Sequence, residues 1–398
     1  MLARGEISNE SFLPTEPFQK PAPRIAKGTE PPPVTFGKYL LHDRLGTGGM
    51  ASVHAADLCG PGGFRRRVAL KRLLPHIAAD EEYVELFLHE AKLAACLRHP
   101  NIATVYDFGQ VDADYFMAME LVRGPSLKQL VTQCINTVGL IPYPVVIHIL
   151  IQVLDALTYA HDMCDDRGKS LGIIHRDVTP SNIVVGQGGI AKLIDFGVAK
   201  STTSHTSTGV IKGKLTYVAP EYVDGKLDRR VDLWSIGVVA WELLTNERLF
   251  ACESDVETVR RVQEMKIEPP SRRNPDVPEE LDAIVMTALQ RNPSLRWQNA
   301  MAMRNALYDL SRRLGNAPTP ADVVEWIDWA FAQQPGRVPK PERLRSMTLL
   351  MMSPRSSRPE FGAALLERAK RDRRRTVLAL AVTTLAMAAC GVVMALTI

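Results

Sequence analysis

The stretch "IIHRDVTPSN", residues 173–182, decides the fold expected for this chain. It places the acid Asp177 and the amide Asn182 at a separation typical of a phosphoryl-transfer loop. Such loops usually carry a lysine two residues after the acid, where this chain has Thr179. The stretch therefore raises the question of whether the loop still moves phosphate, and the answer depends on residues elsewhere in the chain.

Upstream of this stretch the chain has the pattern of a small β-rich unit. Residues 39–58, "YLLHDRLGTGGMASVHAADL", predict a strand, a glycine-rich turn and a second strand, and residues 66–74, "RRVALKRLL", predict another strand. Residues 81–99 space their apolar side chains as an amphipathic helix does, and residues 115–122, "YFMAMELV", have the pattern of an apolar strand.

Downstream, the pattern becomes mainly helical. The longest helical patterns cover 144–163, 231–246 and 279–313. A small β-rich part followed by a larger helical part predicts two lobes of one α+β unit. A further amphipathic helix is expected within 319–333, with Thr319 or Ala321 near its start and Pro320 in its first turn. We expect this helix to dock on the main domain rather than to bind a partner.

The composition excludes several classes of protein. Apolar residues make up 46% and charged residues 23% of the chain, as in ordinary globular proteins. A formal net charge of +4 is too small for a basic face spread over a domain, so we expect no nucleic-acid partner. The six cysteines form no CxxC pair and no cluster with zinc spacing, which favours reduced thiols in a cytosolic compartment.

Composition also divides the chain into segments. They are a disordered proline-rich arm (1–36), the two-lobed domain (37–313), a helical extension with a basic linker (314–375) and an uncharged apolar segment (376–398). At about 1.5 Å per residue, a helix over the last segment would be about 34 Å long, enough to cross a hydrocarbon core. A buried core helix is the alternative, which the uniformly apolar faces and the adjacent "RAKRDRRR" disfavour.

The arginine-rich run before the apolar segment is expected on the cytoplasmic side of a membrane. The sequence therefore predicts a C-terminal transmembrane helix, a single pass through the cell membrane and a main domain on the cytoplasmic face. Gly391 and Ala395 form a small-xxx-small pair that hints at a homodimer.

The glycine-rich "GTGGMA", residues 46–51, is a weak signal by itself because similar loops open dinucleotide-binding helices. Here a strand pattern follows the loop, which favours a β-hairpin flap over phosphates. Ala51 stands where a third glycine is usual, and its small side chain still permits the backbone to approach a phosphate.

The lysine of "VALK", Lys71, is a second candidate. A strand lysine is most often a solvated surface residue. However, Glu90 lies at the polar edge of the next predicted helix, and an ion pair between the two side chains would hold the ammonium against nucleotide phosphates.

Taken together and in order, these motifs make the chain resemble a eukaryotic-type serine/threonine protein kinase of the form common in bacteria. The ordered set is "GTGGMASV", "VALK", Glu90, "HPNI" (99–102), "MELV" (119–122), "HRDVTPSN", "DFG" (195–197), "APE" (219–221), "DLWSIG" (232–237) and "RNPSLR" (291–296). The resemblance covers roughly residues 38–312. It implies a two-lobed protein kinase fold, ATP and Mg²⁺ as cofactors, and protein substrates.

The resemblance also implies a role for each matching residue. Lys71 would bind the α- and β-phosphates and pair with Glu90, Asp177 would orient the substrate hydroxyl and accept its proton, and Asn182 and Asp195 would ligate Mg²⁺. The nucleotide-binding set would be Leu45, Gly46, Thr47, Gly48, Gly49, Met50, Ala51, Ser52, Val53, Ala69, Lys71, Glu90, Met119, Glu120 and Val122, with Met119 as gatekeeper and the Glu120 and Val122 backbones at the adenine.

Three further residues would have structural roles in such a protein. Glu221 and Arg296 would form an ion pair in the helical lobe, and Asp232 would brace the backbone of the catalytic loop.

The family's catalytic-loop lysine is absent, because Thr179 occupies its position. The family also usually has threonine after the glycine of "GTxxYxAPE", where this chain has Lys214 in "GKLTYVAPE". The two residue types are exchanged between positions that face each other in the family fold. We hypothesise that Lys214 is a catalytic residue that supplies the missing ammonium to the γ-phosphate. A solvent-facing Lys214 in a weakened enzyme is the alternative.

The segment "STTSHTSTG" that follows the "DFG" motif is rich in hydroxyls. A phosphate there could pair with Arg176, so autophosphorylation is predicted within 201–208. The alternative to an active kinase is a pseudokinase scaffold that binds nucleotide or a partner. A small-molecule kinase fits the "APE" segment poorly, and no feature argues for tyrosine as the acceptor.

Overall fold

The computed structural model describes residues 34–196, 215–225, 227–250, 252 and 254–334. The strands are β1 (Val34–Phe36), β2 (Tyr39–Thr47), β3 (Ala51–Cys59), β4 (Arg65–Leu73), β5 (Val105–Val111), β6 (Asp114–Glu120), β7 (Ile183–Val185) and β8 (Ala191–Leu193). The helices are α1 (Pro75–Ala78), α2 (Glu81–Cys96), α3 (Leu127–Asn136), α4 (Tyr143–His161), α5 (Arg230–Thr245), α6 (Asp255–Glu264), α7 (Glu279–Ala288), α8 (Ala300–Leu314) and α9 (Pro320–Phe331).

Five expectations concern residues outside this description. They are the proline-rich arm up to residue 33, the hydroxyl-rich segment 201–208, Lys214, the basic linker from residue 335 to 375, and the apolar segment 376–398.

The first lobe is built on one antiparallel sheet with the strand order β1–β2–β3–β4–β6–β5. Side chains alternate between the two faces of a strand, so each face can carry its own core. Tyr39, Leu70 and Phe116 are buried on one face. The other face packs against α2 through residues that include Phe87 and Ala91. The β-rich part predicted from the sequence is therefore confirmed.

The first lobe begins earlier than the composition indicates. Residues 34–36, assigned to the proline-rich arm, instead form β1 and pair with residues 39–41 of β2. Phe36 is buried and meets the ring of Phe116 edge-on, with 5.7 Å between the ring centroids. Pairing with β2 and burial of Phe36 in the core favour a strand here despite the proline-rich context. An argument from local composition includes neither contact.

The second lobe is helical and surrounds α4 and α5, whose residues are mostly buried. Within the described part of the chain, α4 is the helix long and apolar enough to span a membrane by length and composition. About two thirds of it is buried inside the lobe, which makes it a core helix.

The helical stretch expected over 279–313 is two helices, and this is a correction. The chain leaves α7 at Ala288 and starts α8 at Ala300, with a 3₁₀ turn at Pro293–Leu295 between them. Pro293 cannot continue the hydrogen-bond ladder, and the Asn292 side chain accepts from the backbone of Ser294 to start the turn. The apolar spacing alone did not reveal the break.

The helix expected within 319–333 is present as α9. Its N-terminus is a capping box, in which Thr319 accepts from the Asp322 N–H and the Asp322 carboxylate accepts from the Thr319 N–H. Val323, Trp326 and Ala330 are buried against the lobe. The expectation that this helix docks on the main domain is confirmed.

Strands β7 and β8 form a short antiparallel hairpin in the second lobe. Asn101 links the hairpin to the preceding part of the chain. Its side-chain amide donates to the Ala191 carbonyl at 2.9 Å, and its backbone carbonyl accepts from the Leu193 N–H at 2.9 Å. The open end of this hairpin carries Asn182 and Asp195, two of the predicted site residues.

Candidate active site

Lys71 lies on β4, on the face of the sheet that packs against α2. Its ammonium donates to the Glu90 carboxylate of α2 at 2.9 Å and to the Asp195 carboxylate at 3.2 Å. The predicted Lys71–Glu90 ion pair is thus present, and a carboxylate from the second lobe completes it. The solvated surface lysine, which was the alternative, is excluded because the side chain is mostly buried.

The two carboxylates determine the charge state of Lys71. Burial alone would lower the pKa of the ammonium, but the nearby Asp195 and Glu90 charges outweigh it and raise the pKa above its ordinary value. Lys71 therefore stays protonated across the physiological pH range and can meet an anionic phosphate.

The glycine-rich segment is the turn between β2 and β3, so a strand and not a helix follows it, as predicted. The turn is closed by a 2.8 Å hydrogen bond from the Gly48 N–H to the Ala51 carbonyl. A side-chain carbon added at Gly46 would meet no atom within 4 Å. The turn therefore has open space beside its backbone, as a phosphate flap requires.

The residues expected around adenine lie where β4 and β6 pair. Ala69 is the register partner of Met119, and both are buried. Glu120 ends β6, and Val122 follows it in the connection to α3. Ala69 has a small side chain and Met119 an apolar one, which suits contact with the apolar face of a purine.

Lys192 is a residue of this region that the sequence reasoning missed. Its ammonium lies 3.0 Å from the Glu120 carboxylate, which also accepts from the backbone N–H of Thr104 at 3.3 Å. Lys192 belongs to β8 and Glu120 ends β6, so the pair links the hairpin to the C-terminal end of a strand in the large sheet. Nothing in the local sequence around either residue marks this contact.

The catalytic-loop acid and amide are held together. The Asn182 side-chain amide donates to both the carbonyl and the carboxylate of Asp177, each at 2.9 Å. Its nitrogen therefore faces Asp177, and its oxygen is the atom that could ligate a cation. Both residues are buried.

Asp232 anchors this loop from α5, as expected. Its carboxylate accepts from the backbone N–H groups of His175 and Arg176, each at 2.8 Å, and from the His161 ring at 2.8 Å. Burial would raise the pKa of this carboxyl, but the hydrogen bond and charge of His161, with the charge and N–H of His175, hold it below its ordinary value. The His161 contact was not foreseen, because it joins residues far apart in the chain.

The backbone is in an uncommon conformation at two of these positions. Arg176 has φ 61° and Asp195 has φ 56°, values in the left-handed region that residues other than glycine rarely adopt. Such strained residues cluster at functional sites when the surroundings hold them. Here the Asp232 carboxylate accepts a hydrogen bond from the Arg176 N–H, and the Lys71 ammonium donates one to the Asp195 carboxylate.

Asp195 lies next to Asn182 because the N–H of Ile194 donates to the Asn182 carbonyl at 2.9 Å. The following Phe196 is buried, and its ring lies 4.5 Å from the ring of His175. The carboxylate of the preceding Asp195 accepts from Lys71.

The donor set fits a magnesium ion. An amide oxygen and a carboxylate are hard ligands, and Mg²⁺ takes its remaining ligands from phosphates and water. Among the described residues there is no group of three His, Cys, Asp or Glu side chains able to hold a metal by themselves. Asn182 and Asp195 could therefore hold Mg²⁺ together with a nucleotide.

Thr179 lies in a pocket beside Asp177, the predicted catalytic acid. It is 4% exposed, and its hydroxyl is buried without a hydrogen-bond partner. Asp177, Tyr217, Tyr222 and Ser235 are among the other residues that line the pocket. Lys214 immediately precedes the described segment that begins at residue 215, so its contact with this pocket stays a prediction.

Comparison with known proteins agrees with this geometry. The family model "Protein kinase domain" matches residues 39–308. The tyrosine-protein kinase MasK of Myxococcus xanthus is 37% identical over 294 residues, which are 73% of this chain and 46% of that protein. The serine/threonine-protein kinase PknB of Mycobacterium leprae is 37% identical over 303 residues, 74% of this chain and 46% of that protein.

Solved structures show the same fold. The kinase domain of Mycobacterium tuberculosis PknI superimposes with a TM-score of 0.54 at 29% identity, covering 71% of this chain and 99% of that domain. The chain spans about half the length of MasK and PknB, so the similarity concerns their kinase domains. The two-lobed fold predicted from the sequence is confirmed, and the chain belongs to the protein kinase family.

Proposed function

We propose that the protein is an ATP-dependent serine/threonine protein kinase. The observation that carries the proposal is the joint placement of Lys71 between Glu90 and Asp195, with Asp177 and Asn182 at the neighbouring loop. A pseudokinase that had lost catalysis would have no need to keep all five of these polar groups oriented toward one another.

Each group has a task in this proposal. Lys71 would bind the nucleotide phosphates, and its raised pKa keeps it cationic. Asp177 would orient the acceptor hydroxyl and take its proton. Asn182 and Asp195 would hold Mg²⁺, which supplies positive charge to the transferring phosphoryl group.

The names of the relatives differ on which amino acid accepts the phosphate. PknB is named a serine/threonine kinase and MasK a tyrosine kinase. We propose serine and threonine because the ordered motifs resemble that class. Phosphoamino-acid analysis of the phosphorylated product decides between them, and a product containing phosphotyrosine alone would contradict the proposal.

Transfer of radiolabel from [γ-³²P]ATP to a protein substrate tests the activity. The matched control is Asp195→Ala, which removes a proposed metal ligand. We expect incorporation by the parent protein and at least ~10²-fold less by the control, since electrostatic groups of this kind contribute that much. Nucleotide binding without any transfer by the parent would instead support the pseudokinase scaffold.

We also propose that Lys214 replaces the absent catalytic-loop lysine. The support is the buried, unpartnered hydroxyl of Thr179, which leaves the family's lysine position without a cation. Lys214→Ala should reduce turnover far more than nucleotide affinity, whereas Lys212→Ala, two residues away, should not. The double exchange Thr179→Lys with Lys214→Thr should restore turnover. Equal turnover of Lys214→Ala and the parent protein would refute this role.

Regulation by autophosphorylation within 201–208 is a further proposal. Mass spectrometry after incubation with Mg-ATP tests it, with Asp195→Ala protein as the control. Phosphate on these residues in the parent and not in the control is expected, and its absence from the parent would contradict the proposal.

Membrane attachment through 376–398 completes the proposed function. It rests on the uncharged apolar segment and the arginines before it. The full chain should remain in the membrane fraction after carbonate extraction, and a chain ending at residue 375 should not. Recovery of both proteins in the soluble fraction would exclude the anchor. Crosslinking of the full chain against a Gly391→Leu variant tests the homodimer.

A further inference from the structure

Helix α9 lies beyond residues 39–308, the part of the chain that matches the family model, and yet it is part of the second lobe. Val323 and Ala330 are fully buried, and Trp326 is 1% exposed. At the C-terminal end of the helix, the Gln133 side chain of α3 donates to the carbonyls of Ala330 and Gln333 at 2.9 and 3.1 Å. The helix is therefore fixed along its length and is not a loose extension.

The start of α9 presses on the turn of the β7–β8 hairpin. Gly189 in that turn has φ +71°, and a side-chain carbon there would lie 2.2 Å from the Pro320 carbonyl oxygen. That distance is far below van der Waals contact, so only glycine permits the two backbones to approach this closely. The neighbouring Gly188 has open space, with no atom within 4 Å of an added carbon.

The other end of the same hairpin carries the proposed metal ligands. Asn182 immediately precedes β7, and Asp195 follows β8 after Ile194. The strands pair from Ile183 with Leu193 to Val185 with Ala191. At about 3.3 Å per residue, three residues put the turn only ~10 Å from the ligand end. Only three residue pairs of one hydrogen-bonded hairpin therefore separate the turn from the ligand end.

Helix α4 supports the hairpin at the same level. The Gln152 side chain accepts from the Ala191 N–H at 3.1 Å and from the Asn101 amide at 3.0 Å. It also donates to the Gly189 carbonyl at 3.4 Å. The turn thus lies between α4 on one side and the start of α9 on the other.

We propose that α9 is a positioning element for the metal site. By holding the hairpin turn at Gly189, it sets the relative placement of Asn182 and Asp195 and thereby the affinity for the Mg²⁺–nucleotide complex. This inference rests on the proposed function, in which those two residues ligate Mg²⁺. Through α9, the segment that follows the second lobe would be connected structurally to the active site.

The test uses the full chain and the variant Gly189→Ala, which cannot keep the contact with Pro320. Two controls separate the possible causes. Gly188→Ala changes the adjacent residue without a clash, and Gly168→Ala, at φ +76° with open space, carries the same backbone strain elsewhere. Gln133→Ala loosens the other end of α9 without strain in the hairpin and is the second variant if Gly189→Ala does not fold.

The readout is the Mg²⁺ concentration needed, at a fixed ADP concentration, for a chosen rise in melting temperature, because a ligand that binds only the folded state stabilises it by an amount that grows with the logarithm of its concentration relative to Kd. Hydrogen exchange over 320–331 reports whether α9 is displaced. We expect Gly189→Ala to raise this Mg²⁺ concentration about 3–10-fold, which corresponds to about 0.7–1.4 kcal/mol. Both controls should match the parent protein.

The outcomes are distinct. Displacement of α9 with an unchanged Mg²⁺ requirement would overturn the inference, and so would a parent protein whose melting temperature does not respond to Mg²⁺ with ADP. A parent that binds Mg²⁺ and ADP but transfers no phosphate would refute the proposed kinase activity alone. In that case a raised Mg²⁺ requirement in Gly189→Ala would still support the role of α9.

Discussion

Arg296 and Glu221 form a bidentate ion pair inside the second lobe. The guanidinium donates two hydrogen bonds to the carboxylate, at 2.7 and 3.0 Å, and its side chain is fully buried. It also donates to the carbonyls of Gln290, Arg230 and Arg291. The pair therefore ties the 3₁₀ turn at Pro220–Asp224 to the start of α5 and to the segment between α7 and α8.

Arg296→Lys should destabilise the protein strongly. A lysine cannot reproduce the planar fork, and it would leave buried carbonyls and one carboxylate oxygen without donors. We expect a loss of about 3–5 kcal/mol in the free energy of unfolding, measured by urea denaturation. The matched control is Arg260→Lys, whose partner Glu257 lies three residues away on the surface of α6. Equal effects of the two substitutions would contradict this account.

Asp232→Asn should weaken the anchor of the catalytic loop. The amide keeps one acceptor oxygen for three donors, and its NH₂ group faces either the His175 N–H and the His161 ring or the Arg176 N–H. We expect a loss of about 2–4 kcal/mol and a melting temperature lower by several degrees.

The same substitution has a pH signature. The pKa of Asp232 is below its ordinary 3.8, so its stabilisation is complete above about pH 4 and is lost as the pH falls through the folded-state value. Acid unfolding below pH 4 should thus be less steep in Asp232→Asn. An unchanged acid transition would show that this carboxylate does not carry the stabilisation.

Lys71→Arg should retain the fold and lose turnover. A guanidinium keeps the positive charge between Glu90 and Asp195 but presents it in a larger, planar shape that misplaces it relative to the phosphates. We expect phosphoryl transfer to fall by ~10²-fold or more with a change of only a few degrees in melting temperature. The exposed Lys128→Arg is the control. Full activity of Lys71→Arg would mean that charge alone suffices at this position.

His148 should make the α9 contact sensitive to acid. Burial lowers the pKa of its ring, while the carbonyls of Gly189 and Pro318 and the Asp322 carboxylate oppose that shift. The folded protein therefore prefers neutral His148, and this preference stabilises it above pH 6.5 and is lost as the pH falls below that value. The fall in melting temperature between pH 7.5 and 5.5 should be smaller in His148→Gln.

The control for this measurement is His76→Gln, because His76 is an exposed histidine on α1. It should show the same pH dependence as the parent protein. The explanation is wrong if His148→Gln behaves like that control.

Much of this site could be predicted from the sequence because its motifs are local. The turn from β2 to β3 follows from "GTGGM" and the strand pattern after it, and Lys71, Asp177 and Asn182 lie within short segments of recognisable order. The cap of α9 at Thr319 is equally local. Such signals survive in a single sequence because backbone geometry links neighbouring residues directly.

Other features depend on partners distant in the chain. Strand β1 is stabilised by the packing of Phe36 against Phe116. The segment between α7 and α8 carries Arg296, which forms its ion pair with Glu221. No pattern in the sequence around Lys192 predicts its ion pair with Glu120. These contacts form through packing, which a local pattern does not contain.

By itself, the sequence determined the two-lobed α+β class, the order of the motifs and the chemical identity of each site residue. Only the tertiary structure decided that Lys71 lies between two carboxylates, that His161 shares Asp232 with the catalytic loop, and that Gly189 touches α9. The physical reason is that residue type follows from the sequence directly, whereas distances between remote residues are set by how the sheet and helices pack.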